Sequence, residues 1–234
     1  MEQHAVVSAA EWEIARKELL AREKELVRAS DALAEARRAL PWRRVDRRYV
    51  FDGPRGEATL ADLFDGRSQL VVYHFMFGPD WSEGCKSCSF WADNFERNVV
   101  HLAHRDFTFV AISRAPLEKL EAFRRRLGWT FPWYSSGRTD FNRDFCVSFD
   151  PGDRDPTYNY RPKKSDATEL PGISVFARGD GDAVFHTYST FGRGVEVANA
   201  AYRVLDLVPK GRDEGGLPSP MAWLRIRDRY DADR

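Results

Sequence analysis

The sequence has no net charge: 36 lysines and arginines are matched by 36 aspartates and glutamates over 234 residues. That balance gives no reason to expect a nucleic-acid or anionic-membrane partner, both of which need a surplus of positive charge. Long hydrophobic runs are missing as well. The longest apolar stretch, residues 70–77, is interrupted by His74 and is far too short to span a bilayer. No basic start followed by an apolar run opens the chain, so no secretory leader is expected and the protein is placed in the cytoplasm. Cysteine is scarce, with 3 in the whole chain. Three do not make a disulfide framework, and in a reducing compartment a close pair points to redox or metal chemistry rather than a structural bridge. There is no glycine-rich phosphate loop, no Ser-His-Asp arrangement, no internal repeat and no low-complexity tract, and no cofactor is expected.

What is there is the composition of a folded domain, 43% hydrophobic and 31% charged, on a chain long enough to bury a substantial core. The first segment reads as a long helix. Ser8 and Glu11 fit a capping box, in which each side chain satisfies an orphan backbone donor. Trp12, Leu19, Leu26, Leu33 and Leu40 recur every seven residues, Leu20 and Val27 widen the stripe, and Pro41 ends it. Such a stripe calls for a partner surface, either the flank of its own domain or a second copy in a homodimer; a free helix is the third reading, disfavoured because an isolated stripe this apolar is poorly soluble.

Beyond Tyr49 the period changes. Residues 49–60 read as a hairpin about the turn 52–56, and residues 60–64 as a short helical turn. The apolar runs 69–77 and 107–113 suit strands covered on both faces. Helices are expected over 85–104 and from Pro116 to near Gly128, then a short strand at 131–134 and a turn or helix at 140–145. Residues 150–170 are polar, with Pro151, Pro156 and Pro162, and read as an irregular surface loop. Residues 173–177 and 183–188 flank Gly179-Asp180-Gly181-Asp182, a strong hairpin signal, and 194–207 carries a helical stripe. The expected organisation is a helical arm over 1–41, a domain over 42–210 and a tail over 211–234 that wraps the surface or is partly disordered. A buried parallel pair joined by a helix, then an antiparallel pair and a covering helix, is how an α/β thioredoxin-like fold is built, with its central mixed sheet flanked by helices.

Cys85-Lys86-Ser87-Cys88 follows the first long buried strand and opens the next helix. Unpaired backbone donors and the positive end of the macrodipole stabilise a thiolate there, and the two-residue spacer puts the second sulfur one turn away. Three readings compete. Zinc needs four ligands, and the candidates to complete the pair (Cys146, His74, His101, His104, His186) stand at no recognisable ligand spacing. Two inert buried cysteines are the bland reading. A redox pair, Cys85 attacking and Cys88 resolving, agrees with both motif and context.

Trp81 and Trp91 flank the pair and could shape a substrate groove, although aromatic side chains more often pack. Tyr188 and Arg193 belong to a polar-aromatic run that could line the site. Glu83 would raise the thiolate pKa if its charge came near. Cys146 reads as a core cysteine or an extra redox partner, and His74 as a hydrogen-bonded core histidine or a group tuning the thiolate.

Tyr73-His74-Phe75-Met76-Phe77-Gly78-Pro79-Asp80-Trp81, Gly84-Cys85-Lys86-Ser87-Cys88-Ser89-Phe90-Trp91-Ala92-Asp93, Phe131-Pro132-Trp133-Tyr134-Ser135-Ser136 and Thr187-Tyr188-Ser189-Thr190-Phe191-Gly192-Arg193-Gly194 together carry a resemblance. Over nearly the whole chain the sequence resembles a thioredoxin-like family known as domain of unknown function 899, whose members resemble dithiol-disulfide oxidoreductases. It is more distantly similar to peroxiredoxins, which place a proline and a Thr or Ser ahead of the peroxide-reactive cysteine. Pro79, Ser82 and Cys85 look similar, with the proline one residue closer, and Gly84-Cys85 with Cys88-Ser89-Phe90 resembles peroxiredoxins whose resolving cysteine shares the helix. That likeness implies an arginine near the thiolate, for which Arg178 and Arg114 are the candidates. The thioredoxin likeness implies a cis-proline facing the pair, for which Pro171 is the candidate.

The leading expectation is a thiol-disulfide oxidoreductase. A thiol peroxidase and a redox-sensing binding module, the latter suggested by the striped helix, are the alternatives. The partner is then a protein or small-molecule thiol or disulfide, or a peroxide.

Overall fold

The computed structural model describes residues 4–230, so the first three residues of the expected arm and the last four of the expected tail lie outside it. A boundary between Pro41 and Trp42 divides the described chain into two compact units. The first is a single helix, α1 (Ala9–Arg38). Its capping box forms as the sequence requires: the Glu11 N–H donates to the Ser8 hydroxyl (3.3 Å) and the Ser8 N–H to the Glu11 carboxylate (2.9 Å). No residue of this helix is buried.

The second unit is built on an eight-stranded mixed sheet. Its strands are β1 (Arg43–Arg44), β2 (Val50–Gly53), β3 (Gly56–Thr59), β4 (Gln69–His74), β5 (Phe107–Ser113), β6 (Trp133–Ser135), β9 (Gly172–Arg178) and β10 (Val184–Phe191), in the order β1-β10-β9-β4-β5-β6-β2-β3. A separate two-stranded ribbon is made by β7 (Thr157–Tyr158) and β8 (Arg161–Pro162). β4, β5 and β6 run parallel, and β9 lies antiparallel on the other side of β4, with His74 opposite Gly172. This is the thioredoxin-like arrangement that the order of elements predicts.

Alternation along the strands divides the core in two. Val71, Tyr73 and Phe75 face one layer with Trp91 and Phe95 of α2 (Lys86–Glu96) and Leu120 and Phe123. Leu70, Val72, Val110 and Ile112 face the other, with Phe51, Phe64, Phe141 and Phe176. Both faces are covered, which is why 69–77 and 107–113 read as nearly continuous apolar runs.

Some expectations are redrawn. The helix expected over 85–104 is two helices, α2 and α3 (Val99–Ala103). Between them the Asn94 and Asn98 amides each donate to the carbonyl four residues back, at 2.7 Å, so side chains compete with the backbone where the helix breaks. α4 (Leu117–Arg126) starts after Pro116 as expected, and α5 (Phe141–Asp144) supplies the short helix. The stripe over 194–207 forms a 3₁₀ segment (Gly192–Ala198) and α6 (Ala200–Leu205), parted at Asn199, whose side chain accepts the Tyr202 N–H at 3.0 Å as an N-cap. The stretch 150–170 is not wholly irregular. Its ribbon turns through Asn159 and Tyr160, both with positive φ, a hairpin of the type usually marked by Asn-Gly and here disguised by tyrosine. Past residue 211 the chain carries Leu224 and Ile226 into buried positions rather than lying wholly on the surface.

Candidate active site

After β4 the chain leaves the sheet through Phe75, Met76 and Phe77, and this exit is fastened to the neighbouring strand. The Phe75 N–H donates to the Ile112 carbonyl (3.1 Å) and the Ala115 N–H to the Phe77 carbonyl (2.9 Å). The Cys85 N–H then donates back to the Met76 carbonyl at 3.1 Å, closing the loop between them. Gly84 makes that closure fit, since a Cβ there would stand 2.7 Å from the Phe75 ring and 3.0 Å from that of Phe123. Cys85 caps α2 with an extended backbone, and its carbonyl accepts both the N–H and the hydroxyl of Ser89, each at 2.9 Å. Cys85 is half-buried and Cys88, one turn on, is buried; both are free thiols.

The two sulfurs sit in opposite electrostatic states. The Cys85 thiol is brought down to about 6, first by the S–H of Cys88 donating to it, then by the backbone N–H groups of Cys88 and Ser87 and the Ser87 hydroxyl, while burial opposes. The backbone donors among these are the unpaired groups of a helix N-terminus, and the principal causes include no cationic side chain. Burial pushes the Cys88 thiol well above the ordinary range, and the neighbouring Cys85 sulfur adds to the effect. The Met76 N–H points at the Cys88 sulfur at 3.4 Å, and the buried Tyr73 hydroxyl donates to the Cys88 carbonyl at 3.4 Å. At neutral pH the arrangement presents a half-exposed thiolate with a protonated thiol behind it.

This gives a pH prediction. Alkylation of Cys85 by iodoacetamide should rise with pH and level off above about 6, because thiolate is the reacting form. Cys88→Ala removes the largest stabilising donor, so the midpoint should move upward toward the free-cysteine value of about 8.5. A midpoint unmoved in Cys88→Ala would count against this account of the thiolate.

The other sequence candidates are spread along the sheet and do not gather at the pair. Trp91 is buried, its indole N–H donating to the Val195 carbonyl at 2.9 Å, which ties α2 to the segment after β10. Trp81 is partly buried against the same core, and Lys119 braces its turn by donating to the carbonyls of Pro79 (2.8 Å) and Trp81 (3.1 Å). Ser82 is exposed. Glu83 is paired with Arg126 and Arg229. Arg193 points outward, its side chain 87% exposed and paired with Glu196. Tyr188 stands opposite Val175, which stands opposite Val71, three residues back along β4 from His74.

Pro171 precedes Gly172 at the cysteine end of the sheet, but no cis peptide bond occurs among the described residues, so the expected cis-proline is corrected to a trans one. Neither arginine candidate fits the expectation. Arg114 is engaged by Glu169 (2.6 Å) and Asp150 (3.1 Å), and Arg178 lies at the far end of β9 beside Asp182. His74 is fully buried on the opposite face of the sheet, bonded through Nε2 to the Ser174 hydroxyl at 2.8 Å and lowered to about 3 by burial.

Two tyrosines near the pair carry no functional signal in the sequence. Tyr73 sits in the apolar run of β4, where a phenol reads as packing. Tyr158 lies in the polar, proline-containing stretch 150–170, yet its hydroxyl donates to the Pro171 carbonyl (2.6 Å) and accepts the Gly192 N–H (2.8 Å), drawing three segments together. No local signal marks Tyr158, because all its partners are distant in sequence.

Comparison with curated proteins finds no match. Among solved structures the chain is similar to peroxidoxin BcpB from Mycobacterium tuberculosis, with a TM-score of 0.50 and 13% identity over 70% of this chain and 97% of that one. It is also similar to a cysteine-to-serine mutant of Xanthomonas campestris peroxiredoxin Q, with a TM-score of 0.47 and 16% identity over 67% and 89% of the two chains. A yeast mitochondrial 1-Cys peroxiredoxin gives a TM-score of 0.43 and 16% identity over 76% and 79%. At these identities the likeness is one of fold. The sequence itself matches, over residues 1–230, the family described as bacterial protein of unknown function (DUF899), and the chain belongs to that family.

Proposed function

We propose that the protein is a thiol-disulfide oxidoreductase in which Cys85 is the nucleophile and Cys88 the resolving thiol. The observation that carries this reading is the split between the two sulfurs, one held as thiolate by donors at a helix end and the other kept protonated behind it. In the first step the Cys85 thiolate attacks one sulfur of a substrate disulfide, forming a mixed disulfide and expelling the other sulfur as thiolate. Cys85 then carries no charge, so the part of the Cys88 elevation that came from its neighbour is lifted. Cys88 gives up its proton and attacks the Cys85 sulfur, releasing the second substrate thiolate and leaving a Cys85–Cys88 disulfide. The substrate gains two electrons, and an external dithiol of the reducing cytoplasm restores the pair.

Thiol peroxidase is the second reading, favoured by Pro79 and Ser82 ahead of Cys85. Against it stand the exposure of Ser82 and the engagement of Arg114 and Arg178 elsewhere. Mixing Cys88→Ala with insulin separates the two. A stable Cys85–insulin adduct, with slow and non-saturable consumption of hydrogen peroxide by the native protein, is expected. Absence of the adduct together with fast, saturable peroxide consumption would overturn the reductase reading in favour of the peroxidase.

A further inference from the structure

On the face of the sheet opposite α2 lies a cleft of about 330 Å³, which the dithiol chemistry does not use. It is lined by Arg43 of β1, by Phe145 and Cys146 after α5, by Tyr160 at the ribbon turn, and by His186 and Phe191 of β10. Its volume is at the lower end of the range for small-molecule sites, and its exposed wall is mostly apolar, with Thr157, Asn159 and Ser189 adding polar groups beside Arg43 and His186.

The charge at its rim is one-sided. Arg43 has its guanidinium 5.8 Å from the centre of the Phe145 ring and no carboxylate partner among the described residues. Arginines nearby are differently placed: Arg47 is paired with Asp140 and Asp144, and Arg44 with Asp46. The one acid in the lining, Asp144, is already occupied by Arg47 (2.9 Å) and by the Tyr49 hydroxyl (2.6 Å). His186 adds no charge, since burial and the nearby Arg43 lower it to about 4. Its Nε2 lies 2.6 Å from the Ser189 hydroxyl, which is 2.8 Å from that of Ser174, which in turn is 2.8 Å from His74. This buried chain fixes the cleft wall to the sheet. Asn159 and Tyr160, the turn of the 157–162 ribbon, and Cys146 after α5 bring their segments to the edge of this cleft.

We infer that this cleft binds a small monocarboxylate with an apolar chain or ring, its carboxylate paired with Arg43 and its body laid against Phe145, Tyr160 and Phe191. A cation would meet Arg43, and a polyanion would find no second positive group in the lining. No step involves Cys85 or Cys88, so the inference stands apart from the proposed oxidoreductase activity.

Octanoate and octanol are the probes, titrated calorimetrically into the full chain. Octanoate should bind saturably, with octanol and the Arg43→Gln variant each weaker by roughly tenfold, about 1.4 kcal/mol. A second readout uses Cys85→Ser/Cys88→Ser, which leaves Cys146 as the one thiol of the original 3. Octanoate should slow its alkylation, and octanol at the same concentration should not. Equal binding of octanoate and octanol, binding unchanged by Arg43→Gln, no saturable binding, or no protection of Cys146 would each overturn the assignment.

Discussion

Cys85→Ser should abolish disulfide-reductase turnover, with a loss on the order of a thousand-fold or more. The size follows from what the site supplies. Donors from Cys88, Ser87 and the helix end bring a thiol to about 6, so most molecules hold the nucleophile ionised at neutral pH. They cannot do the same for a serine hydroxyl, which remains neutral there and is a poor attacker of sulfur. Cys88→Ala should behave differently, since it keeps the first attack. It should release about one equivalent of thiol per protein in a burst and then stall as a mixed disulfide. Insulin reduction followed by turbidity, with thiol release measured in a rapid mix, checks both. Turnover retained in Cys85→Ser would remove the proposed mechanism altogether.

The largest stability change is expected from Arg114→Ala. Glu169 is 2% exposed, with one oxygen 2.6 Å from the Arg114 guanidinium and the other 2.5 Å from the Ser148 hydroxyl. Burial raises its pKa above the usual carboxylate range even with both partners present. Removing the guanidinium leaves a buried carboxylate with one hydroxyl, a loss of about 3 kcal/mol at neutral pH. The sign of the pH dependence follows. With its folded pKa pushed higher still, Glu169 binds a proton in the folded state that the unfolded chain has released. Stability therefore falls as pH rises from the ordinary carboxylate range through the raised value, and the deficit shrinks again on acidification. Urea unfolding of native and variant proteins between pH 4.5 and 7.5 measures this. The same variant tests the peroxidase likeness. If Arg114 served the thiolate, its loss would spare stability and remove peroxide reactivity, the reverse of what its place beside Glu169 predicts.

Much of the framework was legible because its signals are local. The capping box of Ser8 and Glu11 spans three residues, the Gly179–Asp182 turn is closed by the Gly179 N–H to the Ala183 carbonyl at 2.8 Å, and Pro116 opens α4 where proline suits a helix start. The break in the 85–104 helix was not legible, since an asparagine weakens a helix without ending it, and which carbonyl its amide takes is decided only in the folded chain. Nor was the ribbon at 157–162, where tyrosine takes a positive-φ position that sequence reasoning reserves for glycine.

The cysteine pair shows the same division. That Cys85 and Cys88 stand one turn apart at the mouth of a helix follows from the two-residue spacer and the preceding apolar strand, both contained in about twenty residues of sequence. Which sulfur is ionised does not follow from that. It depends on how deeply each is buried, which outweighs the Met76 N–H and the Tyr73 hydroxyl that favour a Cys88 thiolate, and burial is a property of the packed sheet and helix together. Distance in sequence likewise hid the role of Arg114, whose partner is 55 residues away, and the knot of Tyr158, Pro171 and Gly192. The sequence by itself determined where the two thiols stand and that the pair suits redox chemistry. Only the tertiary structure decided their protonation, their neighbours and the separate cleft on the far face, because desolvation and long-range pairing exist only once distant segments have met.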